Sequence, residues 1–418
     1  MNVINKTILQ GDALYKLKEI EDNSIDLMVT DPPYGYSIMN KNWDKAIISV
    51  YIWKECLKVL KPGAFAFVMS APRQDVLSHM IVNLTNAGFK TDFTSMYWAY
   101  TTGFPKARNI SKNIDKKLKQ KRKVIGIKKH STNFEKALEN KTGYLQDEAN
   151  QNNTKCFGYG DEQITIPSSH QAKKLDGSYA GFQPKPAVEV ILVCMKPLSE
   201  KNYTEQAMNN QKGVTWFDDC RIPYQNDNDL EGATFGNNKT LLTDKCPDYG
   251  KYEYTPQINI KANSKGRFPA NLIVSDNAVD TGNFSRYFDL DAWEAQFIIT
   301  PKPSKSEKNK GLDNFTEHKV NDSRTIKNDT VFQRGKTPRQ NTHPTVKPVS
   351  LFKYLITMGS RENDLILDPF MGSGTTAIAC EQIARDWIGI EKIPEYVEIF
   401  KARLNNYKKQ QKMEEFVS

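Results

Sequence analysis

Two stretches of this 418-residue chain carry side chains with usable chemistry. The first, Asp31-Pro32-Pro33-Tyr34 followed by Gly35, closes the apolar run Ile25-Asp26-Leu27-Met28-Val29-Thr30. Two successive prolines stiffen the backbone and supply no N–H, so nearby carbonyl oxygens lack local donors. A carboxylate and such a carbonyl make two acceptors for a group with two N–H bonds, and the Tyr34 ring adds a flat face. The second stretch is Leu365-Ile366-Leu367-Asp368-Pro369-Phe370-Met371-Gly372-Ser373-Gly374-Thr375-Thr376, an apolar run that ends on an acid and a proline and turns through two glycines. This is the strand, glycine-rich turn and helix of a nucleotide-type site, where glycine admits positive φ and close approach of a ligand. The turn lacks the Gly-Lys-Ser/Thr ending of a phosphate-cradling loop, which argues against nucleoside triphosphate hydrolysis. Seventeen residues beyond Gly374, the run Trp387-Ile388-Gly389-Ile390 ends at Glu391, where a carboxylate can accept from a ribose diol.

Such groups must sit at one edge of a sheet, and the surrounding pattern supplies one. Thr7–Gln10 reads as a strand ending at Gly11-Asp12, with helical spacing over Ala13–Leu17. Asp12 is therefore either a ligand contact at the sheet edge or an ordinary helix N-cap. A helix over Ile48–Leu60 stops at Lys61-Pro62-Gly63, a buried strand follows over Ala64–Met69, then a helix over Val76–Ala87 and a strand over Thr94–Tyr100. Tyr36–Asp44, with Trp43, is either a lid over a bound group or a surface loop. The alternation of strands and helices predicts an α/β fold, doubly wound around a mostly parallel sheet.

From Thr102 the texture changes. Between Lys106 and Lys129 eleven basic residues (106, 108, 112, 116, 117, 119, 121, 122, 123, 128, 129) face one acid, Asp115. Polar sequence continues to about Gln183. A core strand then returns over Val188–Met195, predicted to neighbour Thr94–Tyr100. Residues 198–340 are rich in Asn, Lys and Gly, with β-like pieces at Gly213–Phe217, Phe268–Val274 and Phe297–Thr300, and read as a variable recognition module. His343-Pro344-Thr345-Val346-Lys347-Pro348 opens a helix over Val349–Met358 that leads into the glycine turn, and the tail from Lys401 reads as a surface helix. The expected division is thus 1–105 and 341–405 for the core, joined by the strand 184–197, with a basic insertion 106–183, a recognition region 198–340 and a polar tail 406–418.

A net charge of +9 is compatible with a nucleic-acid partner, and Lys106, Arg108, Lys112, Lys121, Arg122 and Lys123 are candidate phosphate contacts. Six scattered cysteines and five histidines give no metal-ligand spacing, so no metal is expected. The absence of an apolar run near 18 residues and of a signal-peptide core points to a soluble, cytoplasmic protein with no membrane partner.

The tetrapeptide, the His-Pro-Thr-Val-Lys-Pro run and the glycine turn occur in that order, and together they resemble the β-class, circularly permuted amino-methyltransferases of DNA. The resemblance covers roughly 1–105, 184–197 and 340–405; the run from Gly103 also looks like that of phage- and mobile-element-borne relatives. It implies a Rossmann-like sheet, S-adenosylmethionine as cofactor and base flipping from duplex DNA, in a bacterial or phage-infected host. Asp31, Pro32, Pro33 and Tyr34 would handle the base. Asp368, Pro369, Phe370, Gly372, Ser373, Gly374, Thr375 and Glu391, with Asp12, Asp31 and Lys347, would hold the cofactor, Lys347 near its carboxylate. An Asp at the head of the tetrapeptide favours adenine N6 over cytosine N4 in that family. The other readings are cytosine N4 methylation and a catalytically silent DNA-binding protein. A homodimer and a cognate restriction enzyme are the further partners such an enzyme admits.

Overall fold

A computed structural model describes residues 5–35, 46–100, 107–128, 162–182, 184, 187–224, 226–232, 262–274 and 346–415, with short pieces between 292 and 341. The chain divides into two units. The first comprises Met1–Thr101, Val188–Asn314 and His343–Ser418; the second comprises Thr102–Ala187 and Phe315–Thr342.

Among the described residues, the first unit is built on eight strands: β1 (Thr7–Gln10), β2 (Ile25–Thr30), β3 (Leu60–Ser70), β4 (Met96–Ala99), β7 (Val188–Met195), β8 (Leu272–Val274), β11 (Leu365–Asp368) and β12 (Asp386–Glu391). The intervening labels belong to the second unit: β5 (Lys123–Lys128) pairs with β6 (Glu162–Ile166), and β9 (His318–Lys319) with β10 (Pro338–Arg339). The large sheet has the order β1-β12-β11-β2-β3-β7-β4-β8. Its pairs are parallel except those made by β7, which runs antiparallel to both β3 and β4. It is a doubly wound, mostly parallel, Rossmann-like sheet.

The parallel centre follows from burial. All six residues of β2 and all four of β11 are buried, as strands covered on both faces require. Alternate side chains go to opposite faces. Leu27, Val29, Phe65 and Phe67 pack with α8 (Val349–Gly359), α9 (Thr375–Gln382) and Phe400 of α10 (Pro394–Glu415). Met28, Ala66 and Val68 pack with α1 (Ala13–Lys16), α2 (Val50–Val59) and α3 (Gln74–Ala87). Every residue of α8 is buried, and its Gly359 lies so close to Leu27 that a Cβ would stand 2.6 Å from Cδ1. At the amino end of β2, Asp26 accepts from Lys61 (2.6 Å) and from the Leu365 amide (3.0 Å), and pairs with Lys212 (2.8 Å). That buried acid ties β2 to β11 at the edge away from the glycine turn.

In the second unit, α4 (Ile110–Lys117) and α5 (His170–Lys174) accompany β5 and β6. The remaining helices, α6 (Tyr203–Asn210) and α7 (Asp227–Gly232), belong to the first.

Several expectations are corrected. Lys61-Pro62-Gly63 does not merely stop a helix; it lies within β3, across a register shift in the pairing with β2. Gly213–Phe217 forms no strand, and the Trp216 amide instead donates to the Met358 carbonyl. Of Phe268–Val274 only Leu272–Val274 is extended, and it extends the main sheet beside β4. The first unit's segment Val188–Asn314 runs across residue 198, and Phe315–Thr342 group with Thr102–Ala187. The C-terminal helix begins at Pro394 and buries Val397, Phe400 and Leu404, so it is a core element before it becomes a surface one. Phe297–Thr300 and Tyr36–Asp44 lie outside the described residues. Among the described residues, no helix is long and apolar enough to cross a membrane.

Candidate active site

Parallel neighbours β2 and β11 end side by side, so Asp31 and the glycine turn open onto one cavity of about 250 Å³ at the carboxyl edge of the sheet. Asp12, Asp31, Pro32, Pro33, Tyr34, Lys347, Asp368, Pro369, Phe370, Gly372, Ser373, Thr375 and Glu391 all line it. The one exception among the predicted core site residues is Gly374. It has φ +85°, and a Cβ there would stand 2.0 Å from Phe400 Cδ2, so the glycine admits α10 rather than a ligand.

The acids of the cavity differ in what they have left to offer. Asp368 is buried and both of its carboxylate oxygens accept from the protein. Oδ1 accepts from Thr30 Oγ1 (2.7 Å) and the Phe370 amide (3.0 Å), while Oδ2 accepts from Thr376 Oγ1. Burial pushes its carboxyl up to about 6 against the pull of those hydrogen bonds. Asp368 thus braces the turn between β2 and α9. Glu391 accepts the Gly372 amide on one oxygen (2.8 Å) and the Ile393 amide on the other (2.7 Å), with the Lys392 amide also beside the carboxylate. Burial raises its pKa. Asp12 caps α1 through the Leu14 amide (3.1 Å), and it also lines the cavity. A hydrogen bond from Lys392 (2.9 Å) holds its carboxyl below the usual range. Phe370 gives the cavity an aromatic wall and stands edge-on to the buried Trp53, ring centroids 6.0 Å apart.

Across the cavity lies a second group of charges. Asp31 accepts from the Tyr34 hydroxyl on Oδ1 (2.5 Å) and from Lys347 Nζ on Oδ2 (2.6 Å). Glu189 Oε2 lies 3.1 Å from the same ammonium and 3.4 Å from the same hydroxyl. Burial alone would lower the pKa of Lys347, but the two carboxylates raise it above the ordinary lysine range. Burial, with Asp31 and Glu189 beside it, lifts the Tyr34 phenol well above its usual value. Tyr34 is a neutral donor here and Lys347 a fixed cation. The ammonium of Lys347, expected to face a cofactor carboxylate, is held by two acids of the protein itself.

Sequence reasoning missed three contributors. Glu189 was legible only as an acid interrupting the apolar run Val188–Met195. Lys392 directly follows Glu391. Arg403, nine residues into the tail helix's buried half, gave no signal; it donates to the Ser373 carbonyl (2.6 Å) and Oγ (2.9 Å) and pins the turn from behind.

In the second unit, Arg108, Lys112, Lys121 and Lys123 are exposed, while Lys106 lies outside the described residues. Arg122, the remaining candidate, is half-buried. It donates to Asp115 (2.8 Å), Ser111 (3.0 Å) and Thr165 (3.0 Å), and so joins α4 to β6.

A family model described as "DNA methylase" (N6_N4_Mtase) matches residues 25–402. Among curated proteins, the chain is similar to Type II methyltransferase M2.LlaDCHI of Lactococcus lactis subsp. cremoris, 48% identical over 63 residues, 15% of this chain and 23% of the relative. It is also similar to Type II methyltransferase M.HpaI of Haemophilus parainfluenzae, 45% identical over 64 residues, 15% of this chain and 20% of the relative. The chain therefore spans only about a fifth of the length of these relatives. Among solved structures, the M1.HpyAVI–SAM complex aligns over 96% of this chain and 98% of its own, with 16% identity and a TM-score of 0.38.

Proposed function

This chain belongs to the N6_N4_Mtase family of DNA methylases, and from that premise we propose that it methylates the exocyclic amine of a base flipped out of duplex DNA, adenine N6, using S-adenosylmethionine. The observation that carries the proposal is the convergence of Asp31-Pro32-Pro33-Tyr34 and the glycine turn on one cavity at the ends of adjacent parallel strands. Two reactants held at one sheet edge gain the orientation that a bimolecular transfer lacks in water.

The donor set fits the cofactor. Glu391 has acceptor capacity left beside its amide contacts, which suits a diol, and Phe370 with Pro369 offers an apolar wall for a purine. Gly372 keeps the backbone low beside them. When bound, S-adenosylmethionine supplies a methyl group activated by its sulfonium. The protein's part falls to the other wall. An exocyclic amine conjugated with its ring is a poor nucleophile. Asp31 and the Pro32 carbonyl, accepting its two N–H bonds, favour a pyramidal nitrogen whose lone pair is free. The Tyr34 ring gives the extruded base a stacking face, and Asp31 is the acceptor placed to take the proton that the nitrogen sheds.

The tetrapeptide strand precedes the glycine-turn strand in the chain yet pairs with it in the sheet, which supports the β-class, permuted arrangement. The family covers both N6-adenine and N4-cytosine enzymes; Asp31 at the head of the tetrapeptide favours adenine. Arg108, Lys112, Lys121 and Lys123 serve as phosphate contacts. The test is nucleoside mass spectrometry of DNA from a methylation-deficient host expressing the chain or its Asp31→Ala variant. N6-methyladenine from the parent and none from the variant is the expected result. N4-methylcytosine would reassign the base, and no modified nucleoside in either would overturn the proposal.

A further inference from the structure

The methyl-transfer reading uses Asp31 and Tyr34 but leaves unexplained why an ammonium sits on the carboxylate that must receive the amine. Lys347 Nζ is 2.6 Å from Asp31 Oδ2, and the Tyr34 hydroxyl holds Oδ1 at 2.5 Å. Each oxygen therefore already accepts one strong hydrogen bond before any substrate arrives. A buried lysine paired with one acid alone would be costly to dislodge, because separating a desolvated pair strands both charges.

Glu189 changes this. Its Oε2 lies 3.1 Å from Lys347 Nζ and 3.4 Å from the Tyr34 hydroxyl, so both donors of Asp31 have a second acceptor already within reach. The four groups come from three places: the end of β2, the strand β7 and the segment entering α8. β7 is the antiparallel strand of the sheet, and Glu189 lies on it opposite Trp98 of β4. An ammonium carries three N–H donors and can turn between two carboxylates without leaving either unpaired.

We propose that Glu189 is a positioning residue for methyl transfer: it draws Lys347 and the Tyr34 hydroxyl off Asp31 as the substrate amine engages that carboxylate. The inference rests on the methyltransferase reading above. It makes Lys347 harmful when Glu189 is neutralised, since the ammonium then has Asp31 as its one strong partner in the ring.

The experiment compares the full chain with Glu189→Gln, Lys347→Met and the double variant in single-turnover methyl transfer, alongside calorimetric binding of S-adenosylmethionine. Glu189→Gln should slow transfer roughly 10- to 100-fold while cofactor affinity stays within about twofold. Adding Lys347→Met should restore part of the rate. A merely structural Glu189 would leave the double variant no faster than the single one, and that result, or a Glu189→Gln variant at the parent rate, overturns the proposal. An independent arm follows the ¹³Cε resonance of Lys347, assigned by its loss in Lys347→Met, in protein without DNA or cofactor. It should shift in Glu189→Gln, and an unmoved signal refutes the ring. That shift in Glu189→Gln, together with a parent protein that methylates nothing, would instead sink the methyltransferase reading.

Discussion

Gly374→Ala tests the claim that this glycine serves packing rather than a ligand. Two costs can be worked from the structure. The residue sits at φ +85°, ψ 28°, where an L side chain costs roughly 1–2 kcal/mol. The new Cβ would also stand 2.0, 2.8 and 3.0 Å from three atoms of the Phe400 ring. That ring cannot swing away cheaply, since Phe400 is buried and stacks edge-on against Trp387 at 5.4 Å between centroids. Overpacking of this kind adds about 1–3 kcal/mol, so the total is on the order of 2–5 kcal/mol of a stability that is commonly 5–15 kcal/mol. Gly88→Ala is the reference. It is also at positive φ (+106°), but its Cβ meets a single methyl, Leu57 Cδ2, at 2.9 Å. Urea denaturation of the two variants should therefore place Gly374→Ala well below Gly88→Ala in midpoint. Repeating Gly374→Ala in a Phe400→Leu background should recover about 1 kcal/mol or more through relief of the clash. Equal losses in both backgrounds would refute the packing account.

Other predictions follow from the charges. Asp368 has its folded pKa raised to about 6 from an ordinary 3.8, so its ionised form disfavours the fold. Its share of stability therefore increases as pH falls through 6 towards 4, by on the order of 2–3 kcal/mol. The stability difference between the parent and Asp368→Asn should shift by that amount between pH 4.5 and 7.5, and parallel pH profiles would contradict it. Asp26→Ala leaves Lys212 buried without its closest acid (2.8 Å) and should cost roughly 3–5 kcal/mol, read as a lowered denaturation midpoint; a change under 1 kcal/mol would show that Asp364 suffices. Removing Lys112, Lys121 or Lys123 should weaken DNA binding and lower the salt slope by about 0.9 each. Arg122→Ala, whose guanidinium is spent on Asp115 and Ser111, should loosen its own unit instead, seen as faster amide exchange in α4 and β6.

Much of the site was legible because it is local. Strand ends marked by Asp31-Pro32-Pro33 and Asp368-Pro369 announce themselves, since proline cannot continue a ladder and an acid is costly inside one. Ten of the predicted site residues read from those two motifs line one cavity, with Asp12, Lys347 and Glu391 beside them. Gly374 shows the limit: positive φ was predictable from its neighbours, but the Phe400 ring that demands the missing Cβ lies just before the stretch from Lys401 that read as a helix, and nothing local ties it to the turn. Arg122 shows another. Its charge was counted with its neighbours', and only folding reveals Asp115 beside it.

The sequence by itself determined the α/β class, the buried strands β2, β7 and β11, and the side chains at the tips of β2 and β11, because hydrophobic period and proline–glycine punctuation act over a few residues. Only the tertiary structure decided that β8 completes the sheet beside β4. It also decided that Lys347 stands between Asp31 and Glu189. Those pairings join residues more than 150 positions apart. They are set by which faces bury together and which buried charges find a partner, and no local pattern records either.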